Sequence, residues 1–250
     1  MVKPVTLDAP LTSLPGIGPQ RAALFARLNV RTVGELLRLY PRTYEDRTRL
    51  VSVASLEAGT PACFEAAVVT TPRTNRIPKP GSRMLEVTKF TVADDTGRLN
   101  LTFFNAAHSA GALRVGERYC FYGVLTGDFA AYGMTNPLFE PCDGPAHVTR
   151  RILPVYPLTA GLTNSMVLRA QAQAVSRCAG LLPETLPPEL LRRYGLCGAA
   201  EACREIHCPT SAAALGRAQR RLVFEEFFLF SAALAIVRSR RTAHSCPAWQ

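Results

Sequence analysis

Residues 63–139 constrain the fold most tightly, because apolar residues there recur at every second position over short runs. In Arg98–Phe104, Leu99, Leu101 and Phe103 alternate with Asn100, Thr102 and Phe104, the pattern of a half-buried strand. Leu85–Asp94 precedes it across the turn sequence Asp94-Asp95-Thr96-Gly97. Cys63–Thr71, Arg118–Thr126 and Ala131–Phe139 are equally short and rich in Val, Thr, Phe and Tyr, and Gly127-Asp128 separates the last two. Ala106–Leu113 interrupts the series with a helix-like or loop segment. Five strands with a break between the third and fourth predict an OB-fold, a small, partly open barrel that often binds single strands.

The flanking regions change to a helical period, so the expected fold class is α+β. At the N-terminal end, Pro19 suits the first turn of a helix, where a missing N–H costs nothing, and Ala22, Ala23, Leu24, Phe25 and Leu28 follow. Thr32 with Glu35 three residues on predicts a capping box, then Val33, Leu36, Leu37 and Tyr40 continue until Pro41 stops the helix. Beyond the strands, Ser165–Gly180 is amphipathic, Pro183, Pro187 and Pro188 break the chain, and Glu189–Tyr194 resumes it. Ala212–Arg241 reads as one long helix, with Arg217, Arg220 and Arg221 expected on a different side from Leu222, Phe224, Phe227 and Phe228. The expected domains are a helical hairpin region, 1–50, an OB-fold domain, 51–150, and a helical segment, 151–250.

Charge narrows the function class. The chain has 250 residues with 29 basic and 19 acidic side chains, a net charge of +10. A compact chain this basic usually meets a polyanion. The excess is uneven: residues 1–50 hold eight basic and four acidic residues, 51–149 eight and nine, and 150–250 thirteen and six. Contact with nucleic acid in the middle region must therefore be local. The basic patch there is Pro72–Lys89, with Arg73, Arg76, Lys79, Arg83 and Lys89 against Glu86; Pro72, Pro78, Pro80 and Gly81 predict a loop.

Three motifs are candidates for contact. Leu14-Pro15-Gly16-Ile17-Gly18 before a helix resembles a helix-hairpin-helix turn, with Gly16 and Gly18 leaving N–H groups for a phosphate; the other reading is a tight turn packing two helices. Alternation puts Phe103 inside the barrel and Phe104 outside, where its ring could stack on an unpaired base with His108 as a second ring; both phenylalanines in the core is the alternative. Arg42, Arg47 and Arg49 either contact phosphate or pair with Glu45 and Asp46. No catalytic signature occurs: G-x4-G-K-[ST], H-E-x-x-H, G-x-S-x-G and G-x-G-x-x-G are all missing. The eight cysteines lie in a chain without a secretory signal, so reduced thiols are expected, and Cys197, Cys203, His207 and Cys208 match no common zinc spacing; no metal is expected. The apolar run Phe227–Val237 is too short to span a bilayer.

Six stretches in order resemble the N-terminal half of the RecG family of ATP-dependent 3'-5' DNA helicases. They are Leu14–Gly18, Thr32–Thr48, Leu99–Asn105, Val155–Thr163, Glu205–Pro209 and Ala218–Glu226. The resemblance implies a wedge that splits the arms of a stalled fork or Holliday junction, with Phe104 as its aromatic. His108 stands where the family often places a second aromatic, commonly Tyr. It implies branched and single-stranded DNA as partners, a monomer in the bacterial cytoplasm near the nucleoid, and no cofactor in this chain. The ATP and Mg2+ of the family would belong to motor domains that this sequence lacks, as in a truncation, a frameshift or a split gene. A freestanding single-strand binder and a non-functional fragment are the other readings.

Overall fold

The computed structural model describes residues 5–78, 84–127, 132–144 and 148–243. In chain order the elements are α1 (Pro19–Ala26), α2 (Val33–Leu37), β1 (Thr43–Asp46), β2 (Leu50–Val51), β3 (Pro61–Val68), β4 (Arg73–Ile77), β5 (Leu85–Ala93) and β6 (Arg98–Phe104). There follow α3 (Ala107–Ala110), β7 (Arg118–Thr126), β8 (Gly133–Thr135), β9 (Leu138–Pro141) and β10 (Ile152–Val155). The last described elements are α4 (Asn164–Cys178), α5 (Pro188–Tyr194), α6 (Ala199–His207) and α7 (Ala212–Ala243). Two compact units result: Met1–Tyr44 with Pro154–Gln250, and Glu45–Leu153. The two ends of the chain, expected as separate regions, thus fold as one body.

The reason is visible in the core of that first unit. α1 has eight residues and α2 five, too few to bury an apolar face alone. α2 does begin with the expected capping box: Thr32 Oγ1 accepts from Glu35 N at 3.2 Å, and Glu35 Oε2 accepts from Thr32 N at 3.0 Å. Its buried Val33, Leu36 and Leu37 join Val167, Ala170, Ala174 and Cys178, one stripe of α4 at helical spacing. Buried Gln171 donates through Nε2 to the carbonyls of Leu36, 2.7 Å, and Leu39, 3.3 Å, tying the end of α2 to α4.

His207, the last residue of α6, is enclosed in the same unit. Its Nε2 donates to the Leu37 carbonyl and its Nδ1 accepts from the Tyr156 hydroxyl, each at 2.9 Å. A carbonyl can only accept, so the proton of the neutral ring sits on Nε2. The rings of Tyr40 and Tyr156 stack on the imidazole at 6.1 and 6.0 Å. Burial pulls its pKa down from 6.5 to about 4. With both nitrogens engaged in this way, His207 is not poised to ligate a metal with Cys197, Cys203 and Cys208.

The long helix departs from the expected pattern at one turn. Arg221 is fully buried, donating to Glu225 at 2.6 Å and Glu184 at 2.5 Å, while Phe227 is 68% exposed. The sided division of α7 therefore fails there. An arginine enters the interior because two carboxylates meet its fork. None of the described helices is long and apolar enough to cross a membrane.

The second unit is a closed five-stranded barrel in the order β3-β5-β6-β8-β7 and back to β3. β3 and β7 pair antiparallel from Pro61↔Val124 to Ala67↔Arg118, while β6 and β8 run parallel. This is the topology expected of an OB-fold, with α3 between its third and fourth barrel strands. Phe64, Val68, Phe90, Val92, Leu99, Leu101, Phe103 and Phe121 fill the interior, and the Phe64–Phe121 and Phe90–Phe103 rings stack at 5.4 and 5.7 Å. The β5–β6 turn is tied by Asp94: its Oδ1 accepts from Thr96 N at 2.8 Å and Gly97 N at 2.9 Å, its Oδ2 from Val53 N at 2.7 Å. Burial works against the charged carboxylate, but these bonds outweigh it and lower the Asp94 pKa.

Two segments differ from the sequence reading. Pro72–Lys89 is not simply a loop: Arg73–Ile77 forms β4, paired with β5 from Arg73↔Lys89 to Ile77↔Leu85. Pro72 and Pro78 lie outside the paired run, and Thr74 and Thr88 bond across it, Oγ1 to Oγ1, at 2.7 Å. Ala131–Phe139 is not one strand either. Asn136 takes a left-handed conformation, φ 46°, and Pro137 follows, so β8 and β9 separate there.

Candidate nucleic-acid interface

The outward positions of β5, β6 and β8 form the floor of a groove of about 710 Å³. Lys89 and Thr91 come from β5, Asn100 and Thr102 from β6, Gly133 and Thr135 from β8. Successive side chains of a strand point to opposite faces, so the apolar partners of these residues fill the barrel while the polar ones meet solvent. Thr91 donates to Asn100 Oδ1 at 2.9 Å, and Thr70 Oγ1 at the rim accepts from Thr91 N at 2.7 Å. β8 approaches β6 closely: a Cβ on Gly133 would lie 2.9 Å from the Asn100 carbonyl oxygen.

The charge of the groove is one-sided. Arg73 and Lys89 oppose each other across the β4–β5 pair, and both line it. No carboxylate lies among its described lining residues, although the sequence from 51 to 149 carries nine. Three residues along β4, Arg76 is paired with Glu86 at 3.1 Å and so offers less free charge. Lys79 and Arg83 lie outside the described residues.

Phe104 ends the outward row Asn100, Thr102, Phe104 on β6 and is 38% exposed, whereas Phe103 is buried. Its backbone is held from both sides. Phe104 N donates to Asn136 Oδ1 at 2.8 Å. Asn105, left-handed at φ 52°, donates from its N to the Glu86 carbonyl at 2.8 Å and accepts from Glu86 N through Oδ1 at 3.2 Å. His108, in α3, is exposed.

The other candidate positions divide. Gly16 and Gly18 belong to the first unit, not to the barrel. Gly16 turns the chain with φ 78°, and its carbonyl accepts from Arg21 Nη1 at 2.5 Å. Gly18 has φ −83° with open space around it, so its backbone does not require glycine. Leu14 and Ile17 are buried, and Gln173 Nε2 donates to the Pro15 carbonyl at 3.0 Å, so the turn packs against α4 while both glycines face solvent. Of the three arginines after α2, Arg47 is structural. It is buried, bonds the Val148 carbonyl at 2.6 Å and Glu45 Oε2 at 2.5 Å, and lies 3.8 Å over the Tyr122 ring. Arg42 and Arg49 are exposed.

Sequence reasoning did not single out Thr91, Asn100, Thr102 and Thr135. Their signal was present as the polar half of the strand alternation, but that half also describes an ordinary wet face. What distinguishes them is the closure that sets β8 beside β6, which no local pattern reveals.

A closed barrel with this strand order and a polar, cationic groove across its second and third strands defines an OB-fold protein. Residues 11–177 match the RecG wedge domain, and the chain belongs to that family. It is similar to the ATP-dependent DNA helicase RecG of Synechocystis, 30% identical over 239 residues, covering 90% of this chain and 28% of the relative. Against the RecG of Escherichia coli K12 it is 31% identical over 252 residues, covering 93% and 34%. The solved structure of RecG bound to a three-way DNA junction superposes with a TM-score of 0.84 at 25% identity, covering 97% of this chain and 33% of that one. The chain thus spans about a third of the length of the relatives it matches.

Proposed function

We propose that the chain is the DNA-recognition part of a RecG-like helicase, binding branched DNA such as stalled forks and Holliday junctions. The observation that carries this reading is the groove: two cations, a floor of hydroxyl and amide groups, and no carboxylate among its described lining residues. A single strand laid along it would meet phosphate neutralisation at Arg73 and Lys89. Phe104, on the same face at the strand end, would stack on the base at the branch, with His108 beside it on the following helix. The turn at Gly16 and Gly18 is proposed as a further, sequence-independent phosphate contact. The reading takes the chain as a monomer acting in the cytoplasm. Nothing in this sequence has the P-loop pattern, so no residue here is assigned to ATP or Mg2+.

The test is fluorescence anisotropy of the full chain on a labelled three-way fork, a matched duplex and a single strand, at two salt concentrations. The fork should bind tightest. Phe104→Ala should weaken it about 5- to 150-fold, the equivalent of ~1–3 kcal/mol for removal of a base–aromatic stack. Equal, salt-erased binding to all three substrates, unchanged by Phe104→Ala, would sink the proposal.

A further inference from the structure

On the outer surface of the barrel, away from the groove residues, three metal-type donors converge. Glu65 on β3 lies directly opposite Cys120 on β7, and Cys142 follows the end of β9, the strand on the other side of β7. One donor atom of each lies within 4.8 Å of the other two, and the Cys120 and Cys142 sulfurs are 3.4 Å apart. Cys120 is buried, while Glu65 and Cys142 are half-exposed, which leaves a path from solvent.

We propose that Glu65, Cys120 and Cys142 form a binding site for a thiophilic divalent cation, zinc being the physiological choice. Two thiolates and a carboxylate are a ligand set that zinc accepts, with the fourth tetrahedral position left to water. Bonds of about 2.3 Å at a tetrahedral angle put two sulfurs about 3.8 Å apart, so the pair has to open by only about 0.4 Å.

The surroundings fit a bound metal. Arg118 holds Glu65 Oε1 at 3.0 Å. Arg150 donates from Nη1 to the Cys142 carbonyl at 2.6 Å and from Nη2 to the Gly144 carbonyl at 2.9 Å, fixing the loop that carries the thiol. Its Nε is buried without a partner. Two thiolates and a carboxylate around a divalent cation carry a net negative charge, and these two guanidinium groups offset it. They orient the ligands as outer partners of metal sites do. Cysteine ligates as thiolate, so metal binding here is coupled to proton release.

The experiment is a titration of the full, reduced, metal-free chain with Co2+ alone, read by thiolate-to-cobalt charge-transfer absorption, followed by displacement with Zn2+. One equivalent should bind, Zn2+ should bleach the band, and Cys142→Ser or Cys120→Ser should remove it. Arg118→Met, which leaves all three ligands in place, should weaken binding about 10- to 100-fold. Cys203→Ser with Cys208→Ser should leave it unchanged. A wild-type chain that gives no band overturns the proposal whatever the variants do. So does a band that survives in correctly folded Cys142→Ser, or one that disappears when Cys203 and Cys208 are replaced.

Discussion

The enclosed imidazole of His207 makes stability depend on pH between about 6.5 and 4. In the folded chain the ring is neutral with a pKa of about 4, while in the unfolded chain it returns to 6.5. Between these values the unfolded state binds more protons, so the contribution is fully present above pH 6.5 and declines as pH falls toward 4. From pH 7.5 to 5.5 the loss comes to about 1 kcal/mol, rising to about 3 kcal/mol below pH 4. With a urea slope of about 2 kcal/mol per molar, the midpoint should drop by about 0.5 M over the first interval. The carboxylates whose folded values are lowered, Glu35, Asp46, Glu65, Asp94 and Glu184, start from 4.5 or 3.8 and add little above pH 5.5. The assay is urea unfolding at both pH values, followed by near-UV circular dichroism. Tyr40 and Tyr156, stacked on the ring, should make that signal sensitive to this unit. His207→Gln should remove the pH dependence from this window. If wild type and variant keep the same slope, or if NMR shows the His207 ring titrating above pH 6, the enclosure argument is wrong.

Three other outcomes are expected. Arg73→Glu with Lys89→Glu should flatten the salt dependence of single-strand binding by about 0.7 in the log–log slope for each phosphate no longer neutralised, and an unchanged slope would exclude the groove as the phosphate path. Gly133→Ala should cost about 1–3 kcal/mol in urea unfolding, because its Cβ meets backbone across the parallel β6–β8 seam, whereas Gly18→Ala should be close to neutral. Arg221→Met should destabilise by about 2–3 kcal/mol; removing one partner of a buried pair typically costs ~3–5 kcal/mol, and here Glu184 and Glu225 retain access to water, 34% and 20% exposed. A thermal melt of Arg221→Met that matches wild type would show the two carboxylates to be fully solvated without it.

Much of the barrel was readable because its strands are half-buried, so the period of two was written directly in Leu99, Leu101 and Phe103. The capping box at Thr32 and Glu35 was readable for the same reason, being local, with its two residues three positions apart. What resisted reading was decided across the chain. β4 looks like a loop because Arg73, Thr74, Asn75, Arg76 and Ile77 are all exposed, and only pairing with β5 makes them a strand. Arg47 and Arg221 look like surface charges, and their burial depends on Glu45 and Val148 in one case and Glu184 in the other. The division into units was hidden because α2 finds its core more than 130 residues away, at Gln171. Phe104 was placed on the outer face by alternation alone. Its anchoring by Asn136 comes from the β8–β9 break, where the residue pattern predicts one continuous strand.

That anchoring has a mechanical consequence. Asn136 fixes the amide of Phe104 from one strand connection, and Asn105 clasps Glu86 on β5 immediately after it. The backbone that carries the ring is therefore mounted on two neighbouring parts of a closed barrel rather than on the tip of a loop. Displacing that backbone would mean breaking those bonds and the neighbouring β5–β6 pairing, where Val87 lies opposite Phe104. The backbone ordering that a mobile loop would undergo on binding is already complete when the barrel folds. What the barrel fixes is the point from which the Phe104 side chain projects.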